Sequence, residues 1–248
     1  MKNVDWRETK AAIVRRGELR AVADKELRRV SLDALKNIER QKSELVENTR
    51  KFVEGRAAQH ALLWGEMGCG KSSLVRAVFF EFVERGLRLV EISRSELTNL
   101  FEVLEVVRAC GEFKFVIFCD DFSFEKNEAI YGELKNLLEG SIQAPPSNAL
   151  FYATSNRKHI LKQEQANDEN FLLEKENSRE MLSLADRFGL WVSFYELEMS
   201  EYLALVWELV GERFGEAQKE RILREARAFA AMRGNRSGRS AEQFAASL

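Results

Sequence analysis

Eight residues constrain this chain more than any others: Gly65-Glu66-Met67-Gly68-Cys69-Gly70-Lys71-Ser72. The apolar run Ala61-Leu62-Leu63-Trp64 leads into them. A stretch with Leu74, Val75, Val78, Phe79 and Phe82 at helical spacing leads out, starting at Lys71. Strand, glycine-bent loop and helix in that order point to a layered α/β fold. The pattern Gly-x-x-x-x-Gly-Lys-Ser would arise by chance in only about one in a hundred chains of this length. Its glycines let backbone N–H groups curl around an anion, and the helix N-terminus turns its positive end toward the same place. Lys71 adds a mobile full charge suited to β- and γ-phosphates, and the Ser72 hydroxyl suits Mg²⁺. The plain alternative is a glycine-rich turn before a helix with a surface lysine.

Periodicity organises the rest. Apolar runs at 60–64, 87–92, 115–119, 149–154 and 190–195 predict five buried strands. Helical patterns fill the gaps at 71–85, 95–110, 129–142 and 174–188, so the expected core is a five-stranded parallel sheet within residues 55–197. Beyond 198 the pattern turns wholly helical. Ser200 is the expected N-cap of a helix through Val210, a second helix covers 216–232 with Gly234 at its end, and a third starts near Arg239. These predict a small helical lid over 198–248. Residues 1–54 are charge-rich, with a hairpin expected around Arg16-Gly17-Glu18 and a helix over 32–53.

A second chemical signal lies about fifty residues past the loop, at Phe115-Val116-Ile117-Phe118-Cys119-Asp120-Asp121. A buried strand ending in two carboxylates would carry Asp120 to the sheet edge beside the loop, where it can hold Mg²⁺ through water. Asp121 is then the candidate to polarise an attacking water. Its reach is one methylene shorter than that of Glu, and Glu125 stands nearby as a substitute. The next strand ends Ala153-Thr154-Ser155-Asn156, which places Asn156 at the same edge; either it orients the lytic water or senses the γ-phosphate, or Ser155 and Asn156 merely cap the turn into Arg157-Lys158.

Composition excludes several classes. Charged residues make up 31% of the chain but the net charge is −2, which argues against a bulk polyelectrolyte binder. The three cysteines, Cys69, Cys110 and Cys119, have no metal-ligand spacing and read as reduced thiols. The N-terminus lacks an apolar segment behind its charges, and no window is long and apolar enough to span a bilayer, so a cytoplasmic protein without membrane insertion is expected. His60 and His159 have no ligand partner at metal spacing and read as structural or surface residues. The polar stretch 163–179 reads as a solvated insertion or as an element touching a client.

In this order the motifs resemble those of the AAA+ ATPases. More narrowly, the chain is similar to a bacterial family called domain of unknown function 815. The likeness rests on Leu62-Leu-Trp-Gly-Glu-Met-Gly-Cys-Gly-Lys-Ser-Ser73, Phe118-Cys-Asp-Asp-Phe-Ser-Phe-Glu125, Tyr152-Ala-Thr-Ser-Asn-Arg157 and Leu184-Ala-Asp-Arg-Phe-Gly-Leu-Trp191. Gln41-Lys42, Asn48-Thr49 and Arg236-Ser-Gly-Arg239 also fit.

The resemblance implies a P-loop core that binds ATP and Mg²⁺ through Gly65 to Ser73, with Lys71, Asp120, Asp121 and Asn156 at the reacting end. It implies that Arg187 is an arginine finger acting on a neighbouring subunit's nucleotide, so that identical subunits assemble. Arg239, with Arg236 second, takes the place of the lid arginine, and residues 32–38 line the adenine pocket. The client, protein or nucleic acid, is not written in the sequence. An ATP-gated binding or scaffold protein with little turnover is the competing reading; a small-molecule kinase fits less well, given the Asp-Arg-Phe position and the C-terminal helices.

Overall fold

The computed structural model describes residues 4–122, 134, 145–156 and 187–248. Seven strands form one sheet: β1 (Ala11–Arg15), β2 (Glu18–Val22), β3 (Ala61–Gly65), β4 (Leu87–Glu91), β5 (Lys114–Cys119), β6 (Ala149–Ser155) and β7 (Leu190–Phe194). Their spatial order is β2-β1-β4-β5-β6-β3-β7. All neighbours are parallel except β1 and β2.

Five of these strands are those expected, within a residue or two at each end. The expected count of five is corrected to seven. The hairpin foreseen around Arg16-Gly17-Glu18 does form, with φ of 51° at Arg16 and 68° at Gly17, the two left-handed residues that a tight hairpin turn requires. Instead of standing apart, its first strand adds to β4 in parallel, pairing Ala11 with Leu89 and Ala12 with Val90. Ala11, Ala12 and Val14 are buried by that addition.

Side chains of the central strands alternate between two cores. On β5, Phe115, Ile117 and Cys119 enter one apolar cluster, while Val116 and Phe118 enter the other. The first cluster is covered by α3 (Leu100–Arg108) through Leu100, Val103, Leu104 and Val107. The second is covered by α1 (Glu39–Val53) and α2 (Lys71–Phe82) through residues such as Leu45, Phe52, Leu74, Val78 and Phe82. The result is a helix–sheet–helix sandwich.

Three further helices, α4 (Met199–Phe214), α5 (Lys219–Arg233) and α6 (Gly238–Ser247), close around a separate core that includes Tyr202, Val206, Ile222, Ala226 and Phe244. Gly234 ends α5 with φ of 59°, as foreseen. Ser200, however, lies inside α4. The helix is capped at Glu198, whose side chain and that of Glu201 form a reciprocal capping box.

Two other helix expectations are shortened. The one over 32–53 starts only at Glu39, because Asn37 adopts a left-handed φ of 60° and Ile38 is not yet helical. The one over 95–110 begins as a 3-10 turn, Arg94–Asn99, before α3. Most of the helices expected over 129–142 and over 174–188, the 163–179 insertion and Glu125 lie outside the described residues, and Arg187 and Phe188, which are described, are not helical. Among the described residues no helix is long and apolar enough to cross a membrane.

Candidate functional site

The loop from Gly65 to Gly70 joins β3 to α2 at the carboxyl edge of the sheet. Glycine is obligatory at its first position. A β-carbon on Gly65 would fall 1.9 Å from the Phe194 carbonyl oxygen of β7, at a φ of 127°. Gly70 is the N-cap of α2, with φ of 93°, so the helix opens directly out of the loop. Lys71 is 5% exposed, and its ammonium donates to the carbonyls of Gly65 at 2.8 Å and Glu66 at 2.6 Å. Burial lowers its pKa from the usual lysine value, and the fields of Cys69, Glu66, Asp120 and Asp121 oppose that shift. The Cys69 thiol is pushed up to about 11, chiefly by burial.

Asp120 follows β5 directly and continues the alternation of Val116 and Phe118, so it belongs on the α2 side of the sheet. The Ser72 hydroxyl donates to Asp120 Oδ1 at 2.5 Å. The Thr154 hydroxyl donates to the same oxygen at 2.6 Å. Arg76 stands 3.7 Å from Asp120 Oδ2. Asp121 turns out of the strand at a φ of 54°, and its carboxylate Oδ1 accepts from Asn156 Nδ2 at 2.6 Å. The structure thus brings Lys71, Ser72, Asp120, Asp121 and Asn156 to one place.

Beside them opens a cavity of about 450 Å³. Its walls include Met67 to Ser73 of the loop, Asp120, Asp121 and Asn156, together with Ala34, Leu35 and Ile38 from the segment before α1 and Leu205 and Leu209 from α4. Gly238, Arg239 and Glu242 of α6 also line it. The Arg239 N–H donates to the Gly68 carbonyl at 3.2 Å, so the helical unit rests on the loop itself. A β-carbon on Gly68 would meet Ser237 Oγ at 2.6 Å.

Arg236 is not part of the wall; its guanidinium meets Glu196 at 3.4 Å and its carbonyl accepts from the Leu197 N–H. Arg187 is also outside the cavity, three residues before β7. Thr154 and Arg76 are among the residues at the site that were not singled out from the sequence. Thr154 could have been found from its position on β6. Arg76 lies four residues past Ser72 and therefore on the same face of α2.

A largely parallel α/β sheet, a glycine loop opening a helix, two carboxylates at the tip of β5 and a helical unit resting on the loop define a nucleotide-binding fold of the AAA+ class. The chain belongs to the family described as Protein of unknown function (DUF815), which matches residues 3–248. Among solved structures, a lysine-to-arginine mutant of RuvB from Thermotoga maritima aligns with a TM-score of 0.51 at 15% identity, covering 90% of this chain and 73% of that one. RuvB itself, described as a Holliday junction branch migration motor, gives 0.49 at 15% identity with the same coverage. At that identity the likeness speaks for the fold alone. A search of the curated proteins found no match.

Proposed function

We propose that this chain binds Mg·ATP in the cavity beside Gly65–Ser73 and hydrolyses it, coupling the cycle to movement of a lid made of residues 198–248. The observation that carries the reading is the contact between Ser72 and Asp120 directly beside the buried Lys71. A hydroxyl and a carboxylate are hard oxygen donors of the kind Mg²⁺ takes in such sites, and they adjoin an ammonium and a helix N-terminus that favour phosphate. Ser72 and Asp120 would hold the metal, which when bound offsets charge on the phosphates.

Lys71 would exchange its two carbonyl acceptors for phosphate oxygens. Asp121 would take a proton from the attacking water, with Asn156 orienting that carboxylate. Arg239 would contact the nucleotide from the lid, with Arg236 fixing the lid's hinge through Glu196. The segment 32–38 and the α4 leucines would enclose the base.

Arg187 has its place in the same proposal. β7 runs parallel to β3, and Leu190 pairs with Ala61, so Arg187 precedes the sheet edge opposite Gly65. The length of β3, roughly 13 Å at about 3.3 Å per residue, then separates it from its own loop. That is farther than one arginine side chain extends. Such an arginine serves a neighbour's nucleotide, which makes hydrolysis depend on self-assembly in a cytoplasmic homo-oligomer acting on a protein or nucleic-acid client.

Phosphate release measured across protein concentrations tests this. A steep rise with concentration is expected, and Arg187→Ala should keep ATP binding while losing ~10³-fold or more in turnover. Retained full turnover in that variant would remove the trans role. The competing reading, an ATP-gated scaffold, draws on the engagement of Asp121 by Asn156. It predicts ATP binding with negligible turnover at every concentration.

A further inference from the structure

We infer that Thr154 is a positioning residue for both carboxylates of the site, acting through its hydroxyl; this rests on the Mg·ATP reading above. The topology gives it that place. β6 lies between β3, which feeds the loop, and β5, which ends at Asp120. Thr154 pairs with Leu63 of β3, while the preceding Ala153 pairs with Cys119 of β5. Continuing the parallel register sets Thr154 beside Asp120. Thr154 also shares a face with Leu150 and Tyr152, which is the α2 side that Asp120 occupies.

The chemistry is directional. A threonine hydroxyl has one proton. Here the proton goes to Asp120 Oδ1 at 2.6 Å, and a lone pair of the Thr154 hydroxyl oxygen accepts the Asp121 backbone N–H at 2.9 Å. The Phe122 N–H then donates to the Thr154 carbonyl at 2.7 Å. Three contacts from one residue, 2% exposed, therefore fix the carboxylate rotamer at Asp120 and the left-handed backbone at Asp121. Serine, with the same hydroxyl, can replace it. Valine, of the same shape, cannot, and it also leaves the Asp121 N–H without its acceptor.

The test compares Thr154→Val and Thr154→Ser in the full chain with wild type. ATP affinity is measured by calorimetry as a function of Mg²⁺ concentration, alongside kcat and KM. Thr154→Val is expected to raise the Mg²⁺ concentration needed for tight ATP binding, and to lower kcat, each by about 10–100-fold, the range found when a partner that orients a metal ligand is lost. Binding at saturating Mg²⁺ should stay within a few-fold, and Thr154→Ser should restore both quantities.

Wild-type Mg²⁺ dependence in Thr154→Val would overturn the inference, as would failure of Thr154→Ser to rescue. If Thr154→Val does not fold, Thr154→Ala and Thr154→Ser carry the same comparison. Absence of ATP binding by the wild-type chain would instead sink the nucleotide reading, so the two failures are distinct.

Discussion

At the sheet end of the cavity, Gly65 is pressed against the Phe194 carbonyl and the Lys71 ammonium is buried against two loop carbonyls. At the helical end, Lys36 and Glu208 meet at 2.8 Å as a pair about half exposed on both sides. The first end is set by backbone geometry and by a sheet whose central strands, β5 and β6, are almost wholly buried. The second is set by side chains and single backbone contacts: Arg239 on Gly68, Arg236 on Glu196, and Leu197 on Arg236. The helices behind those contacts keep a core of their own, so they can shift without exposing the core of the sheet. A nucleotide in this cavity would have its phosphates held by a rigid cradle and its base enclosed by a cover free to move. Conformational work of the proposed kind needs that asymmetry.

The contrast can be broken by substitution, read as equilibrium binding of a fluorescent ATP analogue. Lys71→Ala should weaken binding by ~100-fold or more, since it removes a desolvated charge at the rigid end. A loss of only a few-fold would mean that the cradle does not hold phosphate. Arg239→Ala removes one charged contact from the cover and should cost about 10-fold. Lys36→Glu opposes Glu208 at the exposed mouth and should change affinity by less than about 5-fold, with the effect fading in high salt.

Stability sharpens the same comparison. Gly65→Ala forces a β-carbon into the Phe194 carbonyl and should cost about 3 kcal/mol, or roughly 6–12 °C of melting temperature for a chain of this size. Arg239→Ala should leave the melting temperature close to wild type. Equal losses in the two variants would show that the cover and the sheet melt as one unit.

Much of the rigid end was legible in the sequence because its information is local. A strand, a glycine loop and a helix are contiguous from Ala61 to Phe82, and Asp120 closes an unbroken apolar run. What was missed depends on contacts distant along the chain. The place of β1 in the sheet follows from pairing with Leu89 and Val90, more than seventy residues away, and a five-residue strand among charges carries no sign of it. The failure of the 32–38 segment to become helix turns on Asn37 in a left-handed conformation, a backbone choice that hydrophobic spacing does not reveal. Thr154 was in view as one of several polar residues ending β6. Only the strand order, with β6 between the loop strand and the carboxylate strand, separates it from Ser155 and Asn156. Arg187 precedes β7, whose parallel register with β3 puts it near the sheet edge opposite Gly65.

The most direct measurement is calorimetric titration of the folded wild-type chain with Mg·ATP. One ATP bound per chain, with the heat lost in Lys71→Ala and in the absence of divalent cation weakened but not abolished, is the predicted result. A well-folded chain that gives no saturable binding of ATP or of a nonhydrolysable analogue would contradict it.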